Sequence, residues 1–178
     1  PAGTVYIGES SLNITKGLGT NTTIAWFEPG SPGTATVPDW TIDVTGQERD
    51  FAIERSVFTT RTGMWYSWTA GKTLGGSPAV FQVADPSIDL TVTDVTTGTN
   101  ADGRTIPVGD EISFRIDSNL ANMTERGISG APVRILITRS DGTTYTTLTN
   151  KSGGITSVVI PVTQHSYSTG AIWYTDNS

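Results

Sequence analysis

The fold is decided by one stretch, Ser77-Pro78-Ala79-Val80-Phe81-Gln82-Val83-Ala84-Asp85-Pro86-Ser87-Ile88-Asp89-Leu90-Thr91-Val92. Its first half contains a short apolar run, and its second half alternates apolar and polar residues, so each half is typical of a strand. Asp85-Pro86 separates them, because a proline restricts the preceding residue to extended conformations. The stretch therefore predicts a domain junction, and we expect the two domains to hold a fairly fixed relation.

The composition favours strands and turns over helices. The chain has 178 residues, of which 35% are hydrophobic and only 16% charged, and it is crowded with Thr, Ser and Gly. β-Branched Thr loses rotamer freedom in a helix, Gly interrupts helices, and no long window carries a 3.6-residue apolar repeat. The sequence predicts an all-β protein of two tandem β-sandwich domains, residues 1–84 and 87–178.

The first domain reads as short strands separated by turns. The predicted extended pieces are Thr4–Ile7, Leu12–Ile14, Thr23–Phe27, Thr41–Val44, Asp50–Ile53, Met64–Trp68 and Val80–Ala84. A Pro/Gly loop from Pro29 to Gly33 and the turn at Thr62-Gly63 punctuate them. Strands this short and this regularly interrupted are typical of a sandwich or a barrel.

The second domain has a clearer strand pattern. The predicted strands are Ile88–Val95, Glu111–Asp117, Val133–Thr138, Thr143–Leu148 and Ser157–Val162. Ser140-Asp141-Gly142 is a hairpin signal, because Asp-Gly supplies the positive φ of a tight turn. The pattern resembles the first five strands of an immunoglobulin-like sandwich. Few residues follow Gly170–Tyr174, so we expect this domain to lack its last strands.

Charge and cysteine content exclude several classes of function. A net charge of −6 argues against nucleic acid or an anionic membrane as a partner, since both require clustered positive charge. The absence of cysteine removes disulfides, thiolate metal sites and cysteine nucleophiles. No run of about 20 apolar residues is present, so no membrane span is predicted in this chain.

Four sequons match the acceptor pattern for N-linked glycans, Asn-X-Ser/Thr with X not proline. Their acceptor residues are Asn13, Asn21, Asn122 and Asn150. All four lie near predicted turns or loops, where an oligosaccharide can project into water. The sequence therefore predicts glycosylation of at least one of them if the protein is exported, although a chain this rich in Ser and Thr also matches by chance.

Trp65, Tyr66 and Trp68 form the densest aromatic cluster. Aromatic side chains exposed on a sandwich face stack against sugar rings, so a carbohydrate-binding module could use Trp65, Trp68 or Trp173 as a platform. Adjacent residues of a strand point to opposite faces, however, so the same cluster can fill a core. We favour the core interpretation, because no ring of planar polar residues lies nearby in the sequence.

The sequence contains no motif that is typical of catalysis or of tight metal binding. His165 is the only histidine; it lies in a polar loop, and no Gly-X-Ser-X-Gly motif accompanies it, so we expect a surface residue and no enzyme. Carboxylates gather at Asp102, Asp110, Glu111 and Asp117, which keeps calcium open as an alternative. No Asp-X-Asp-X-Asp-Gly loop is present, and we predict no cofactor.

Several short stretches together resemble the major surface-layer (S-layer) glycoproteins of methanogenic archaea. In the first half they are Thr4-Val5-Tyr6-Ile7-Gly8-Glu9 with Leu12-Asn13-Ile14-Thr15, Ile24-Ala25-Trp26-Phe27, Thr62-Gly63-Met64-Trp65-Tyr66 and Phe81-Gln82-Val83. In the second half they are Ile106-Pro107-Val108-Gly109-Asp110, Phe114-Arg115-Ile116-Asp117-Ser118-Asn119-Leu120 and Gly170-Ala171-Ile172-Trp173.

This resemblance implies a secreted, extracellular, N-glycosylated β-sandwich protein at the cell surface, where copies of the chain polymerise into an S-layer, sheath or filament. Such proteins are usually longer, and here the sequence stops before the Gly-Thr-X-Tyr strand expected after Trp173. We therefore expect either a fragment or a short relative whose second sandwich is completed by a strand from another subunit. Self-assembly through strand edges is the leading hypothesis, and a carbohydrate-binding or adhesion module is the alternative.

Overall fold

The structure, a computed structural model, describes residues 3–138 and 142–175. It is all-β, with 39% strand and 11% helix, which confirms the predicted fold class. The chain divides into two compact units, Pro1–Pro86 (unit 1) and Ser87–Ser178 (unit 2). Among the described residues, no helix has the length and apolar character that crossing a membrane requires.

Unit 1 is built on one five-stranded sheet. Its strands are β1 Thr4–Tyr6, β2 Thr23–Trp26, β3 Trp40–Asp43, β4 Gly63–Ser67 and β5 Ala79–Ala84. They lie in the order β1-β5-β4-β2-β3, with β1 parallel to β5 and the other neighbours antiparallel. Two single-turn helices, α1 Thr15–Leu18 and α2 Arg55–Phe58, and a 3₁₀ turn at Leu74–Gly76 complete the unit.

Both faces of this sheet are covered. Along β2, Ile24 and Trp26 belong to the main apolar cluster, whereas Ala25 and Phe27 belong to a smaller cluster on the opposite face. This alternation follows from the two-residue period of a strand. Irregular segments and the two short helices, rather than a second sheet, supply the residues that pack on the main face.

Two predicted strands of unit 1 are reduced to a single bridge. Leu12 and Phe51 form an isolated antiparallel bridge, and the residues around them are irregular. The side chain of Asn13 explains the early end of the first piece, because its Oδ1 accepts hydrogen bonds from the N–H and the hydroxyl of Thr15. Such a local turn diverts the chain into α1 instead of a longer strand.

The described residues of unit 2 form eight strands in three sheets. They are β6 Ile88–Asp94, β7 Thr99–Asn100, β8 Glu111–Ser118, β9 Ala131–Arg134, β10 Thr147–Thr149, β11 Ile155–Ser157, β12 Val159–Val162 and β13 Ser166–Tyr174. The main sheet has the order β13-β8-β6-β7, and the pairs β12-β9 and β10-β11 form two small sheets. A 3₁₀ helix at Asn119–Arg126 follows β8.

One apolar cluster joins the sheets of unit 2. Ile112, Phe114 and Ile116 from β8 pack with Ile160 of β12 and with Leu148 of β10. Residues of the main sheet and of the two small sheets therefore share a core, which is the arrangement of a sandwich.

The second half departs from its predicted strands at Ser157–Val162 and in the final segment. The predicted strand Ser157–Val162 is divided, because β11 pairs with β10 whereas β12 pairs with β9. The final segment forms the nine-residue strand β13 along β8, longer than its sequence suggested. The predicted hairpin at Ser140-Asp141-Gly142 lies largely outside the described residues, and an antiparallel bridge joins Thr138 to Thr144 beside it.

Candidate functional site

The aromatic cluster of the first domain fills the interior of unit 1. Trp65 is 0% exposed and Trp68 is 7% exposed, and they belong to clusters on opposite faces of the sheet. The core interpretation is confirmed, and the proposed stacking platform at these two residues is wrong because no sugar can reach either ring. Trp173 is half-buried against Tyr145, with 5.6 Å between the ring centroids.

Trp40, on the edge strand β3, is the exposed tryptophan that the sequence did not single out. Its side chain is 43% exposed, and the guanidinium carbon of Arg61 lies 3.8 Å from the ring centroid. A cation over an aromatic face contributes about 0.5–1 kcal/mol at an exposed site. Because Arg61 covers one face of the ring, the available stacking surface is the other face.

A groove of about 250 Å³ lies beside the end of β2 and the start of β4 in unit 1. Trp26, Phe27, Met64 and Tyr66 supply its apolar lining, and the loop from Glu28 to Ser31 forms its rim. Phe27 and Tyr66 meet edge to face, with 6.2 Å between centroids. Tyr66 and Met64 are only half-buried, so the groove presents aromatic surface that Trp65 and Trp68 do not.

Strand β6 of unit 2 carries apolar side chains that its own core leaves exposed. Ile88 and Leu90 stand directly opposite Ser118 and Ile116 of β8, and directly paired residues of antiparallel strands share a face. Ile116 is 0% exposed, yet Ile88 is 54% and Leu90 is 41% exposed. The core-facing side of β6 is therefore uncovered at its beginning.

The same part of β6 has an open backbone edge. The N–H of Val92 donates to Asp102 and its C=O accepts from Ala101, so these groups point away from β8. The direction of the N–H and C=O groups alternates from one residue of a strand to the next. The N–H and C=O groups of Ile88 and Leu90 therefore point to the same side as those of Val92, away from β8. Strand β7 pairs only with Thr93 and Asp94. Within residues 3–138 and 142–175, no strand pairs with this side of Ile88–Leu90, which we call the β6 edge.

A cleft of about 420 Å³ opens at the start of β6. Its lining consists of Ser87, Ile88, Asp89, Asp117, Ser118, Asn119 and His165. Asp89 stands opposite Asp117 across β6 and β8, and Arg115 forms an ion pair with Asp117 at 2.9 Å. Hydrogen bonds from Arg115 and Ser166 hold the pKa of Asp117 below its ordinary value. The cleft is accordingly acidic, with one arginine beside it.

His165 lies beside Ser118, but the two do not form a nucleophile and base pair. The Ser118 hydroxyl donates to the C=O of Ser87 at 2.7 Å and accepts from the N–H of Leu120. His165 Nδ1 lies 3.2 Å from the backbone oxygen of Ser118, and the histidine is exposed. A serine nucleophile needs its hydroxyl directed at the base, and this hydroxyl is directed elsewhere.

Asp94 and Asp110 form a carboxyl pair at the other end of β6. Asp94 is 5% exposed and accepts hydrogen bonds from the hydroxyl of Thr97 at 2.7 Å and from its N–H at 3.1 Å, which lower its pKa. Burial raises the pKa of Asp110, and the Asp94 carboxylate raises it further. Asp110 Oδ2 is buried without a hydrogen-bond partner in the described structure. As the pH falls, the Asp110 carboxylate therefore takes up a proton before the Asp94 carboxylate does.

Three of the four carboxylates considered for calcium interact with other groups of the protein. Asp102 accepts from the N–H of Val92 and from the side chain of Asn100, Asp110 interacts with Asp94, and Asp117 pairs with Arg115. The described ranges hold no group of three or more His, Cys, Asp or Glu side chains arranged for a metal ion. These residues are dispersed rather than brought together.

The outer face of the β9–β12 sheet is apolar. Arg134 stands opposite Val159, and Leu136 follows two residues later on the same side, since Ile135 between them is buried and its N–H bonds to Val158. Leu136 is 69% and Val159 is 38% exposed. We call Arg134, Leu136 and Val159 the outer patch. Exposed Ile155 precedes it on β11.

The four sequon asparagines lie in different environments. Asn13 is exposed, and the Thr15 hydroxyl donates to its Oδ1 at 2.7 Å. Asn21 is half-buried, with its Nδ2 bonded to Ser67 and its Oδ1 to Thr69. Asn122 is half-buried on the 3₁₀ helix. Asn150 lies in the turn between β10 and β11, where its Oδ1 accepts from the N–H groups of Ser152 and Gly154.

The sequence pattern gave the direction of the β6 side chains but not their surroundings. Alternation predicts that Ile88 and Leu90 point to the core side, which is correct. It does not tell whether an opposing layer reaches them, because that depends on pairings far away in the chain. The Asp94–Asp110 pair was not predicted, because it also depends on pairings far away in the chain. The sequence indicated it only through the position of Asp94 at the end of a strand rich in Thr and Asp.

Comparison with known proteins gives one match. A family model described as a domain of unknown function, DUF3821, matches residues 1–178. No curated protein matches the chain, and no solved structure matches it. Because the match spans the whole sequence, the chain belongs to the DUF3821 family, whose function is not known.

Proposed function

We propose that this chain is a structural protein of the extracellular cell surface, where copies of it assemble into an S-layer, sheath or filament. The resemblance to S-layer glycoproteins of methanogenic archaea led to this idea. The outer patch of unit 2 is its main support, because Val159 of β12 and Leu136, two residues beyond the end of β9, expose apolar side chains beside Arg134. Apolar patches rimmed by polar residues mark interaction surfaces.

Open strand edges support the same proposal. Strand β9 pairs only with β12 among the described residues, and β3 is the last strand of the unit 1 sheet. Unpaired edges present N–H and C=O groups that another chain can satisfy. Assembly through the outer patch would bury apolar surface, which yields about 25 cal/mol per Å² removed from water.

The test is the assembly state of the purified chain. Electron microscopy across a concentration series should show ordered sheets or filaments that the double variant Leu136→Lys, Val159→Lys does not form. The matched control is Thr60→Lys with Gln82→Lys, which adds the same charge at exposed positions of unit 1 outside the edge strand β3. A wild-type chain that stays monomeric at every concentration, or a double variant that assembles normally, would refute the proposal.

Glycosylation is part of this proposal, and the four sequons should not behave alike. Asn13 is exposed, whereas the side chain of Asn21 is held at both ends by Ser67 and Thr69. An amide nitrogen already donating to a buried hydroxyl is poorly placed to receive a glycan. Mass spectrometry of the protein from its native source should therefore find Asn13 modified and Asn21 bare, and the reverse pattern would contradict this ranking.

A carbohydrate-binding module is the second candidate, and the aromatic groove of unit 1 favours it. Half-buried Tyr66 and Met64 expose surface there, in place of the buried Trp65 and Trp68. Tyr66→Ala should abolish binding on a glycan array while unit 1 stays folded. Absence of any binding by the wild-type chain would remove this candidate.

A further inference from the structure

The β6 edge combines three features that a single ligand could satisfy. The backbone groups of Ile88 and Leu90 face an open side of the sheet, their side chains are exposed on the core-facing side, and the acidic cleft lies beside them. Unpaired backbone groups at a strand edge accept an extended segment, and pockets for alternate side chains then provide specificity.

Charge determines which segment fits. Asp89 lies between Ile88 and Leu90, and its side chain makes no hydrogen bond or ion pair with any other described residue. Its cross-strand neighbour Asp117 is also acidic and already uses Arg115. Like charges directly opposite each other are destabilising in a sheet, whereas opposite charges contribute about 0.2–1 kcal/mol per pair. A basic residue on an incoming strand would relieve this excess of negative charge.

The same charge opposes pairing of two β6 edges. A two-fold antiparallel arrangement that uses the backbone groups of Ile88 and Leu90 in both copies places Asp89 opposite Asp89 of the second copy. Shifting the register by one step brings Val92 into the ladder, and its N–H and C=O are already bonded to Asp102 and Ala101. A second β6 is therefore a poor occupant of this edge.

We propose that the β6 edge binds an extended segment of another polypeptide in which a Lys or Arg stands between two apolar residues. The backbone of the segment bonds to Ile88 and Leu90. Its basic side chain lies over Asp89 and reaches the acidic cleft, while its flanking apolar side chains cover Ile88 and Leu90. This binding is independent of the outer patch, and it adds a partner beyond the proposed self-assembly.

Two labelled nine-residue peptides of alternating Thr and Val test the charge rule. One carries Lys at its central Thr position and the other carries Glu, and fluorescence anisotropy measures their binding to the full chain. The Lys peptide should bind at least about tenfold more tightly, a difference of about 1.4 kcal/mol. The exposed-surface variant Asp89→Lys should reverse this preference, and Asp50→Lys, an exposed control in unit 1, should leave it unchanged.

Backbone amide shifts locate the binding. On adding the Lys peptide, the N–H resonances of Ile88 and Leu90 should shift, and Leu90→Pro should abolish binding, since it removes an N–H that points away from β8. Equal affinity for both peptides, no binding, or a preference that survives Asp89→Lys would overturn the proposal. Shifts of Ile88 and Leu90 that grow with protein concentration alone would also overturn it, because the occupant would then be a second copy.

Discussion

The sequence left two roles open for Trp65, packing in the core or stacking against a sugar. In the folded chain this residue packs in the core. Its ring lies 4.9 Å from Phe58 and 6.5 Å from Phe81, between centroids, and its Nε1 donates to the C=O of Arg61. A buried tryptophan usually finds such a partner for its N–H. The residue therefore stabilises unit 1 and takes no part in ligand binding.

Trp65→Ala should lower the free energy of unfolding of unit 1 by about 3–5 kcal/mol, because it leaves a cavity as large as an aromatic side chain. Urea denaturation followed by far-UV circular dichroism measures the change. Trp40→Ala is the matched control: its ring is exposed and loses chiefly the contact with Arg61, so it should cost less than about 1 kcal/mol. Similar costs for both variants would contradict the assignment of Trp65 to the core.

The negative charge that Asp110 carries when it is ionised should lower the stability of the folded chain. Its pKa in the folded chain is raised above the ordinary 3.8, so the folded state holds its proton more tightly than the unfolded state. The contribution of Asp110 to the free energy of unfolding is fully present below pH 3.8, its pKa in the unfolded chain. It is lost as the pH rises through the pKa of the folded chain. The lowered pKa of Asp94 acts in the opposite direction, and its contribution is lost as the pH falls through its folded pKa.

Asp110→Asn should therefore raise the melting temperature of unit 2 at pH 7 and have a smaller effect at pH 4. Asparagine resembles the protonated acid, so it keeps a donor for Asp94 and removes the repulsion. Differential scanning calorimetry at the two pH values measures the change. A variant less stable than the wild type at pH 7, or a shift in melting temperature independent of pH, would contradict a raised pKa of Asp110.

The pairing of β13 with β8 illustrates what a whole element adds. Ser168 stands opposite Arg115 and Ala171 opposite Ser113, so Thr169 and Gly170 together face Phe114 in a bulge. Gly170 has a φ of 67°, which glycine adopts without strain. The Thr169 hydroxyl accepts the N–H of Phe114 at 3.0 Å, which replaces the ladder bond that the bulge removes.

Thr169→Val should destabilise unit 2 by about 1–3 kcal/mol, because it leaves the N–H of Phe114 without an acceptor in a buried position. Thr169→Ser keeps the hydroxyl and should stay close to the wild type. Chemical denaturation of the three proteins gives the comparison. If valine and serine were tolerated equally, the hydroxyl would not be the acceptor that holds the bulge.

Among the strands, the sequence predicted best those that have a partner strand on each side. The alternating stretch Glu111–Asp117 became β8, which pairs with β6 and β13 over most of its length. The stretch Ser157–Val162 was read as one strand, but its two halves pair with different strands. The alternation of apolar and polar residues indicates which face of a strand is buried. It gives little information about which strand lies beside it.

The candidate sites were less predictable than the strands. The β6 edge depends on the register of β6 with β8 and on how far β7 extends. The outer patch depends on Ile135 being the residue that turns inward between Arg134 and Leu136. Both are consequences of long-range pairing, which the alternation of residues within one strand does not reveal.

Across the whole molecule, exposed apolar side chains are concentrated in unit 2. Of the ten large hydrophobic side chains exposed in the described structure, eight belong to this unit. A chain whose net charge is −6 repels its copies at long range, so assembly should strengthen as salt screens this repulsion. The apolar contact at the outer patch would then provide the attraction.

Sedimentation velocity of the wild-type chain beside the double variant Leu136→Lys, Val159→Lys is the decisive test of self-assembly through the outer patch. If copies assemble through the outer patch, the wild type forms larger species as its concentration rises, and the double variant remains a single species of 18.9 kDa. A wild-type chain that sediments as that single species throughout, or a double variant that assembles equally well, would contradict it.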